Sequence, residues 1–465
     1  MEATTAPARS RPFLDRRFGV SERGSTVRVE LLGGLSTFLT MCYILFVNPA
    51  ILSAAGVPFK GVAVATALAA CVTTLAMAVF TNYPFALATG LGLNAVVAFD
   101  IILGRKVAWP VGMSCIVLEG VLALILVLAG LREAIMRAIP LSMKLSIGVG
   151  IGLFITLVGL REGGIVINDP ATGIALGDLT AGPPLIALAG VLTAAVLSAR
   201  NIRGSILIGV LTSTVLGLIF GVLHGPSAVA EWPGAGSFST VGDSLAWHNI
   251  RDALAVALIP TIFALFMSDF FDTIGTVVAV GGSGGLLNED GHLPGIKRVL
   301  LVDSASAAVG GVAGVSSVTT YVESGAGVSE GARTGLAGLV VAALFGLAIF
   351  FVPIISMVGQ SLQYHGATIN PAVAPALIMV GYLMIRLVPG IDWSQPESAL
   401  PAFLIIAGIP MTFSIAAGIG FGVFGFVAVM VAQKRWREVH PLMYGLVLLF
   451  GMYYASGWLS SHVFT

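Results

Sequence analysis

The chain has 465 residues, of which 57% are hydrophobic and only 10% are charged. Soluble domains carry about 25% charged residues, so this composition excludes a soluble globular protein and indicates a polytopic membrane protein. The formal net charge is zero, which gives no reason to expect nucleic acid as a partner. Glycine contributes 58 residues, and small residues allow transmembrane helices to pack closely.

Residues 1–31 form a polar tail that contains several arginines, among them Arg16, Arg17, Arg23 and Arg28. No short apolar stretch follows the basic start, so the tail is not expected to be a cleavable signal peptide. Positively charged flanks remain in the cytoplasm. We therefore expect a multi-pass protein of the cell (inner) membrane with a cytoplasmic N-terminus.

Apolar runs of about 20 residues, enough to cross a bilayer as a helix, recur along the chain. The predicted spans are 32–52, 61–82, 109–130, 141–160, 182–198, 204–223, 253–280, 299–315, 334–358 and 370–388, with further apolar regions at 400–432 and 441–459. The basic connections around 132–144 and 200–203 both fall on the cytoplasmic side when spans are counted from a cytoplasmic N-terminus. This agrees with the positive-inside rule.

The region 400–432 permits two interpretations. As one span it places Lys434, Arg435 and Arg437 outside, against the positive-inside rule. As a hairpin of two short spans, broken near Pro410 and 418–422, it returns these charges to the cytoplasm. The run 441–459 is then an extra span beyond the expected fourteen. On length we favour the single span.

Asp269 and Asp272 lie three residues apart in the run 253–285, which carries no other charge. This spacing places both carboxylates on one face of a helix. An ionisable residue at bilayer depth costs about 2.5 kcal/mol or more, so two together predict a buried polar site for a solute, a proton or both. The alternative is a helix end at the water interface, which the continuing apolar run 273–280 disfavours.

Two segments, 83–95 and 316–328, each join an extended stretch to a short helix-compatible one. Pro84 lacks a backbone donor and the glycines at 90 and 92 lower helix propensity, while the run 318–322, which consists of β-branched residues and one tyrosine, favours a strand. We therefore predict an all-α polytopic membrane protein of about 14 spans, arranged as a seven-plus-seven inverted repeat with short extended segments in spans 3 and 10. Such discontinuous helices at matching positions indicate a transporter with its site at the midplane.

Several spaced motifs carry a resemblance to a known family. They are GLSTFLTMCYILFVNP at 34–49, ATGLGLNA at 88–95, DFFDTIGT at 269–276, VTTYVESGAG at 318–327, ARTG at 332–335 and TINPA at 368–372. Together, between about residues 30 and 452, they resemble the AzgA-like purine permeases of the nucleobase–cation symporter family, which have a UraA-type fold. The resemblance implies a core domain (32–130 and 253–358), a gate domain (131–224 and 359–465) and proton-coupled uptake of adenine, guanine and hypoxanthine.

The resemblance also implies roles for individual residues. Asn94, Asp269 and Glu323 fall on purine-contacting positions, and Asp272 falls on a second acidic position needed for transport. The extended segments of spans 3 and 10 place Phe85 and the backbone around Val322 near the base. A homodimer through the gate domain is expected by analogy.

The chemistry of these side chains suits a purine edge independently. A carboxylate accepts from two N–H groups and an Asn amide both donates and accepts. Burial disfavours a charged carboxylate, so the coupled pair Asp269 and Asp272 is expected to carry the transported proton. The alternatives are an ion pair between Glu323 and Arg333, or a charge at a helix end, and a helix-packing amide for Asn94. For Arg333, Glu330 is the favoured partner.

Other function classes fit less well. The chain has no HExxH motif, and an enzyme is not expected. Its cysteines and histidines lack metal-ligand spacing, so neither a metal nor a cofactor is expected. A channel would use repeated rings of like groups. The nearest alternatives are a symporter of the same fold for xanthine or uracil, or for an organic anion. The anion would require a cationic site, yet neither broken segment contains lysine or arginine.

Overall fold

The structure is a computed structural model that describes residues 13–130, 138–254, 258–288 and 293–462. In the first half the helices are α1 (Phe13–Phe18), α2 (Val27–Met41), α3 (Ile44–Ala54), α4 (Phe59–Thr81), α5 (Leu91–Ala95), α6 (Trp109–Leu128), α7 (Leu141–Glu162), α8 (Gly182–Ala199) and α9 (Ser205–Ile219). In the second half they are α10 (Trp247–Ala253), α11 (Ile259–Ser283), α12 (Ile296–Ala313), α13 (Ser324–Ser329), α14 (Gly335–Ala348), α15 (Val352–Val358), α16 (Ala374–Ile385), α17 (Pro396–Thr412), α18 (Ile415–Ala432) and α19 (Pro441–His462). The strands are β1 (Leu87–Thr89), β2 (Val166–Asp169), β3 (Gly173–Leu176), β4 (Val318–Thr320), β5 (Leu362–Tyr364) and β6 (Ala367–Ile369).

The apolar helices confirm a multi-pass membrane protein. Within the described residues, eight helical stretches are long and apolar enough to cross a bilayer, and shorter apolar helices accompany them. Most begin and end within a few residues of the predicted spans; the run containing the aspartates, for example, forms Ile259–Ser283. The basic residues Arg132 and Arg137 of the predicted cytoplasmic connection lie outside the described residues.

The favoured single span at 400–432 is wrong. The chain forms two helices, α17 and α18, which end and begin around Phe413 and Ser414. Phe413 takes a left-handed conformation with φ of 52°, which α-helices do not continue through. Ser414 then caps α18, its side chain accepting from the Ala417 N–H. The hairpin alternative is therefore correct, and α19 follows it.

The two broken segments meet in the middle of the bundle. Strands β1 and β4 pair antiparallel, with Leu87 opposite Thr320 and Thr89 opposite Val318. Helix α5 follows β1 and continues as a π-helix over Val96–Gly104, while α13 follows β4. Because the strands are antiparallel, the two short helices run in opposite directions, and the first turn of each starts beside the strand pair.

The remaining helices pack in two groups. Around the strands, α6 packs on α12 and α14 packs on α4 and α2. The α6–α12 contact is close, because a Cβ on Gly120 would lie 2.3 Å from the Ala308 backbone nitrogen. In the second group α7 packs on α16 and α17, α8 on α9, and α17 on α18. Helix α11 lies between the groups and contacts both α6 and α18.

Candidate functional site

A cavity of about 100 Å³ lies where the two groups of helices meet the broken segments. We call it the central cavity. Its polar lining consists of Tyr43, Asp272, Thr276, Thr320, Tyr321 and Glu323. Gly90, Leu91 and Gly92 contribute the first turn of α5, whose backbone N–H groups have no partner inside the helix. The opposite wall is apolar and comes from α7 and α16. The cavity therefore combines acceptor side chains with backbone donors.

Glu323 immediately precedes α13 and faces the central cavity. Its Oε1 accepts a hydrogen bond of 2.5 Å from the Tyr43 hydroxyl, 280 residues away in sequence. Arg333 instead donates to the backbone carbonyls of Val328 and Ala332. The ion-pair alternative for Glu323 is therefore wrong.

The favoured partner of Arg333 is wrong as well. Glu330 forms its ion pair with Arg203, while a carboxylate oxygen of Glu30 accepts from the Arg333 backbone N–H. Glu330 thus joins two loops at the end of the bundle and takes no part in the central cavity.

Asp272 lies in the interior of α11, with its side chain exposed to the space of the central cavity. The helix-end interpretation of this acidic pair is therefore wrong. Asp269 lies on the same helix, but it is only 2% exposed and does not line the cavity. Its Oδ1 lies 3.4 Å from Ser317 Oγ, which is equally far from a carboxylate oxygen of Glu119. The two aspartates thus have different surroundings, one open to the cavity and one enclosed.

Asp303 on α12 fixes the strand that carries the cavity lining. This fully buried carboxylate accepts from the Thr320 N–H at 3.1 Å, from the Thr320 hydroxyl at 2.8 Å and from the Thr273 hydroxyl at 2.7 Å. Thr320 belongs to β4 and Thr273 to α11. Asp303 therefore holds β4 against α11 and positions the residues that face the cavity.

The sequence interpretation overlooked both Asp303 and Glu119. Each is a single charge in an apolar run, 299–315 and 109–130 respectively. That signal also identified Asp269 and Asp272, since isolated ionisable residues at bilayer depth are rare and usually functional.

The remaining predicted residues divide into two groups. Val322 lines the central cavity and is 51% exposed. Asn94 is fully buried, donates from Nδ2 to Thr89 Oγ1 at 3.3 Å, and its Oδ1 has no hydrogen-bond partner among the described residues. Phe85 is also fully buried, with its ring centroid 5.6 Å from that of Tyr83. The structure thus brings Asp272, Glu323 and Val322 to the cavity, and places Asn94, Asp269 and Phe85 behind its lining.

A larger cavity of about 400 Å³ lies at the end of the bundle that carries the β2–β3 and β5–β6 hairpins. We call it the hairpin-end cavity. Val158 lines it, while Ile155 lines the central cavity. Three residues of an α-helix span about 4.5 Å along its axis. The two cavities are therefore separated along α7 by roughly one helical turn.

The hairpin-end cavity contains charged and aromatic side chains. The guanidinium of Arg161 lies 4.7 Å above the centre of the Phe413 ring. Glu162 Oε2 accepts from both the backbone N–H and the Nδ2 of Asn370, each at 2.9 Å. Burial, and then the nearby Asp178 carboxylate, raise the pKa of Tyr364, so its hydroxyl stays protonated at neutral pH.

Comparisons with known proteins agree with this architecture. The profile of the Permease family Xan_ur_permease matches residues 28–421. The guanine/hypoxanthine permease PbuG of Bacillus subtilis is 39% identical over 448 residues, 94% of this chain and 98% of that protein. The adenine permease AdeP of Escherichia coli K12 is 36% identical over 438 residues, 94% of this chain and 95% of that protein.

Solved structures support the fold. The transmembrane domain of the cyanobacterial bicarbonate transporter BicA matches with a TM-score of 0.59 at 16% identity, covering 84% of this chain and 97% of that one. This likeness confirms the predicted fold class, an all-α membrane protein with many helical spans. Because the family profile spans most of the sequence and the similar permeases align over nearly their full lengths, the chain belongs to this permease family, as its motifs predicted.

Proposed function

We propose that the protein is a proton-coupled secondary transporter that takes up purine nucleobases, namely hypoxanthine, guanine or adenine, by alternating access. The observation that carries the proposal is the meeting of Glu323, Asp272 and the first turn of α5 at one internal cavity. Relatives that are named as guanine/hypoxanthine and adenine permeases support the choice of purines.

The central cavity offers complementary groups for a purine edge. Glu323, oriented by the Tyr43 hydroxyl, accepts from ring N–H groups. The backbone N–H groups of Leu91 and Gly92 in the first turn of α5 donate to a ring nitrogen or a carbonyl oxygen. Asn94, whose buried Oδ1 lacks a partner among the described residues, joins these contacts when the cavity widens around the base.

The cavity must widen for a purine to bind. Its volume of about 100 Å³ is below the roughly 150 Å³ of an engineered cavity that accepts benzene. The apolar wall formed by Val380, Leu383 and Met384 of α16 can move away from the broken segments, because these apolar side chains are not tied to the segments by hydrogen bonds. Binding is therefore coupled to movement of α16.

Asp272 is the proposed proton carrier. It faces the same cavity as Glu323, and two negative charges in one small cavity repel each other. A proton on Asp272 removes one of these charges before the neutral base binds, so proton and base travel together. Asp269, one turn earlier on α11 and beside Ser317, is proposed as the second member of this coupled pair.

Alternating access follows from a division into core and gate. We assign 32–130 and 253–358 to the core and 131–224 with 359–465 to the gate. The broken segments and carboxylates lie in the first set, whereas the apolar wall comes from α7 and α16 in the second. In span order, α4 and α6 of the first half correspond to α12 and α14 of the second half. Helix α6 packs on α12, and α4 packs on α14. Each helix thus contacts the counterpart of the other, which supports the inverted repeat. A cytoplasmic N-terminus places the hairpin end outside.

Transport measurements with Asp272→Asn test the proposal. The wild-type protein in proteoliposomes is expected to accumulate labelled hypoxanthine when the outside is acidic, and the variant is expected to lose accumulation while still equilibrating the base. Asp252→Asn, an exposed aspartate paired with Arg251, is the matched control and should behave as wild type. Accumulation by Asp272→Asn that still follows the proton gradient would remove this residue from the coupling role.

Competition distinguishes the alternatives. Unlabelled guanine or adenine should inhibit hypoxanthine uptake more strongly than uracil or xanthine. Inhibition that is strongest with uracil or xanthine would favour a symporter of the same fold for that base. An organic anion is disfavoured because, among the described residues, two carboxylates and no lysine or arginine line the central cavity.

A further inference from the structure

We propose that the hairpin-end cavity is a second binding site, selective for 6-oxopurine bases, in which Arg161 binds the edge that carries O6 and N7. The proposal rests on the proposed function and extends it from the central cavity to the route that leads there. The cavity volume of about 400 Å³ falls within the roughly 300–1,000 Å³ of small-molecule sites.

Arg161 is the residue that selects the ligand. Its guanidinium lies over the Phe413 ring, and its buried Nε has no hydrogen-bond partner among the described residues. Stacking uses one face of the planar guanidinium and leaves the N–H groups at its edge free for a bidentate contact. Arg161 is partly buried, and its buried Nε lacks an acceptor. Because an unsatisfied buried donor is costly, an acceptor in the cavity would be a favourable partner for this guanidinium.

The chemistry of a 6-oxopurine matches these donors. Guanine presents N7 and O6 as two neighbouring acceptors. The bidentate contact of a basic side chain such as arginine with this pair is the commonest base-specific contact in protein–DNA complexes. Adenine presents N7 beside an N6 amino group. This amino group is a donor, so it cannot accept a hydrogen bond from the guanidinium. Hypoxanthine shares O6 and N7 with guanine. Arg161 therefore favours 6-oxopurines over adenine.

The neighbouring side chains accommodate the rest of a planar base. Glu162 also lines the cavity, and its orientation is fixed by Asn370. Its carboxylate can accept from the N1–H of a 6-oxopurine, and it would repel an anionic ligand. Phe99 and Tyr364 add aromatic surface to the lining, and bases stack readily on aromatic side chains.

The position of the cavity connects this site with the central one. Arg161 follows Val158 by one turn on α7, and Ile155 of the same helix reaches the central cavity. A base held by Arg161 is thus separated from the central cavity by a short distance along one helix. Selection by Arg161 therefore precedes selection by Glu323 when a base arrives from the hairpin end.

Inhibition of uptake by two bases tests the site. Unlabelled hypoxanthine and adenine are titrated against uptake of one labelled purine by cells that express wild type, Arg161→Gln or Arg161→Lys. The ratio of the adenine to the hypoxanthine inhibition constant should fall about tenfold in Arg161→Gln, because a bidentate pair gives discrimination of about that order. In Arg161→Lys, which retains the positive charge but lacks the planar bidentate donors of a guanidinium, this ratio should fall less.

Arg386→Gln is the matched control. Arg386 is exposed near the opposite end of the gate helices and also lies over an aromatic ring, that of Tyr382, so its removal should leave the ratio unchanged. An unchanged ratio in Arg161→Gln, or an equal rise of both constants, would overturn the second site while leaving the proposed function intact. Failure of the wild type to take up any purine would overturn the proposed function and this site with it. Inhibition constants do not depend on the amount of protein, so reduced expression leaves the result readable.

Discussion

The two broken segments share a backbone arrangement but differ in chemistry. Residues 83–95 and 316–328 each provide one strand of the central pair and the first turn of a short helix. The first segment contributes glycine and backbone N–H groups to the central cavity, whereas the second contributes Glu323, Thr320 and Tyr321. The two segments therefore share a backbone arrangement without sharing their charged side chains.

The same difference extends to the groups that hold the strands. Thr74, a neutral residue on α4, donates to the Leu87 carbonyl at 3.0 Å and accepts from the Leu87 N–H at 2.9 Å. The carboxylate of Asp303 performs the corresponding role for β4. Hydrogen bonds to charged groups are worth about 1.5–3 kcal/mol, against about 1 kcal/mol for neutral ones. Substitutions in the second segment should therefore have the larger effects.

The largest effect is expected at the buried anchor of β4. Asp303→Ala leaves the Thr320 N–H and hydroxyl without their acceptor and removes one of two partners of the Thr273 hydroxyl, at a cost of about 3 kcal/mol in stability. Thr74→Val, which removes the neutral anchor of β1, should cost about half as much. Thermal unfolding midpoints of the purified proteins in detergent measure both. A midpoint that falls further for Thr74→Val would contradict the proposed asymmetry.

A smaller effect is expected at the cavity carboxylate. Glu323→Gln removes a charged acceptor for purine N–H groups, so the KM for hypoxanthine should rise by about 10- to 100-fold. Tyr43→Phe removes only the hydroxyl that orients Glu323, and the KM should rise severalfold. Initial uptake rates over a range of substrate concentrations give both values. A KM for Glu323→Gln equal to that of wild type would exclude this carboxylate from base binding.

The smallest effect is expected in the first segment. Asn94→Ala removes a neutral amide that lies behind the cavity lining, so the KM should rise about fivefold, the equivalent of a neutral hydrogen bond of about 1 kcal/mol. The same uptake measurement applies. A rise as large as that of Glu323→Gln would show that both broken segments contribute equally to recognition, and the difference between them would be lost.

Much of the fold could be predicted from local features of the sequence. Long apolar runs determine helices that cross a membrane, because every backbone group must be satisfied inside the hydrocarbon. Pro84, with the glycines that follow it, interrupts one helix, and the strand-favouring run 318–322 interrupts another. The unusual placement of Asp272 within an apolar run was sufficient to identify a residue of the cavity.

Other features were decided only by the tertiary structure. The i, i+3 spacing of Asp269 and Asp272 gave both a similar direction on α11, but neighbouring elements enclose the first and leave the second open. The break between α17 and α18 falls at Phe413, whose ring lies beneath Arg161 of the distant helix α7. The contact between Tyr43 and Glu323 joins residues 280 positions apart. Hydropathy and propensity act over one or two helical turns, whereas these contacts depend on how distant helices are packed against each other.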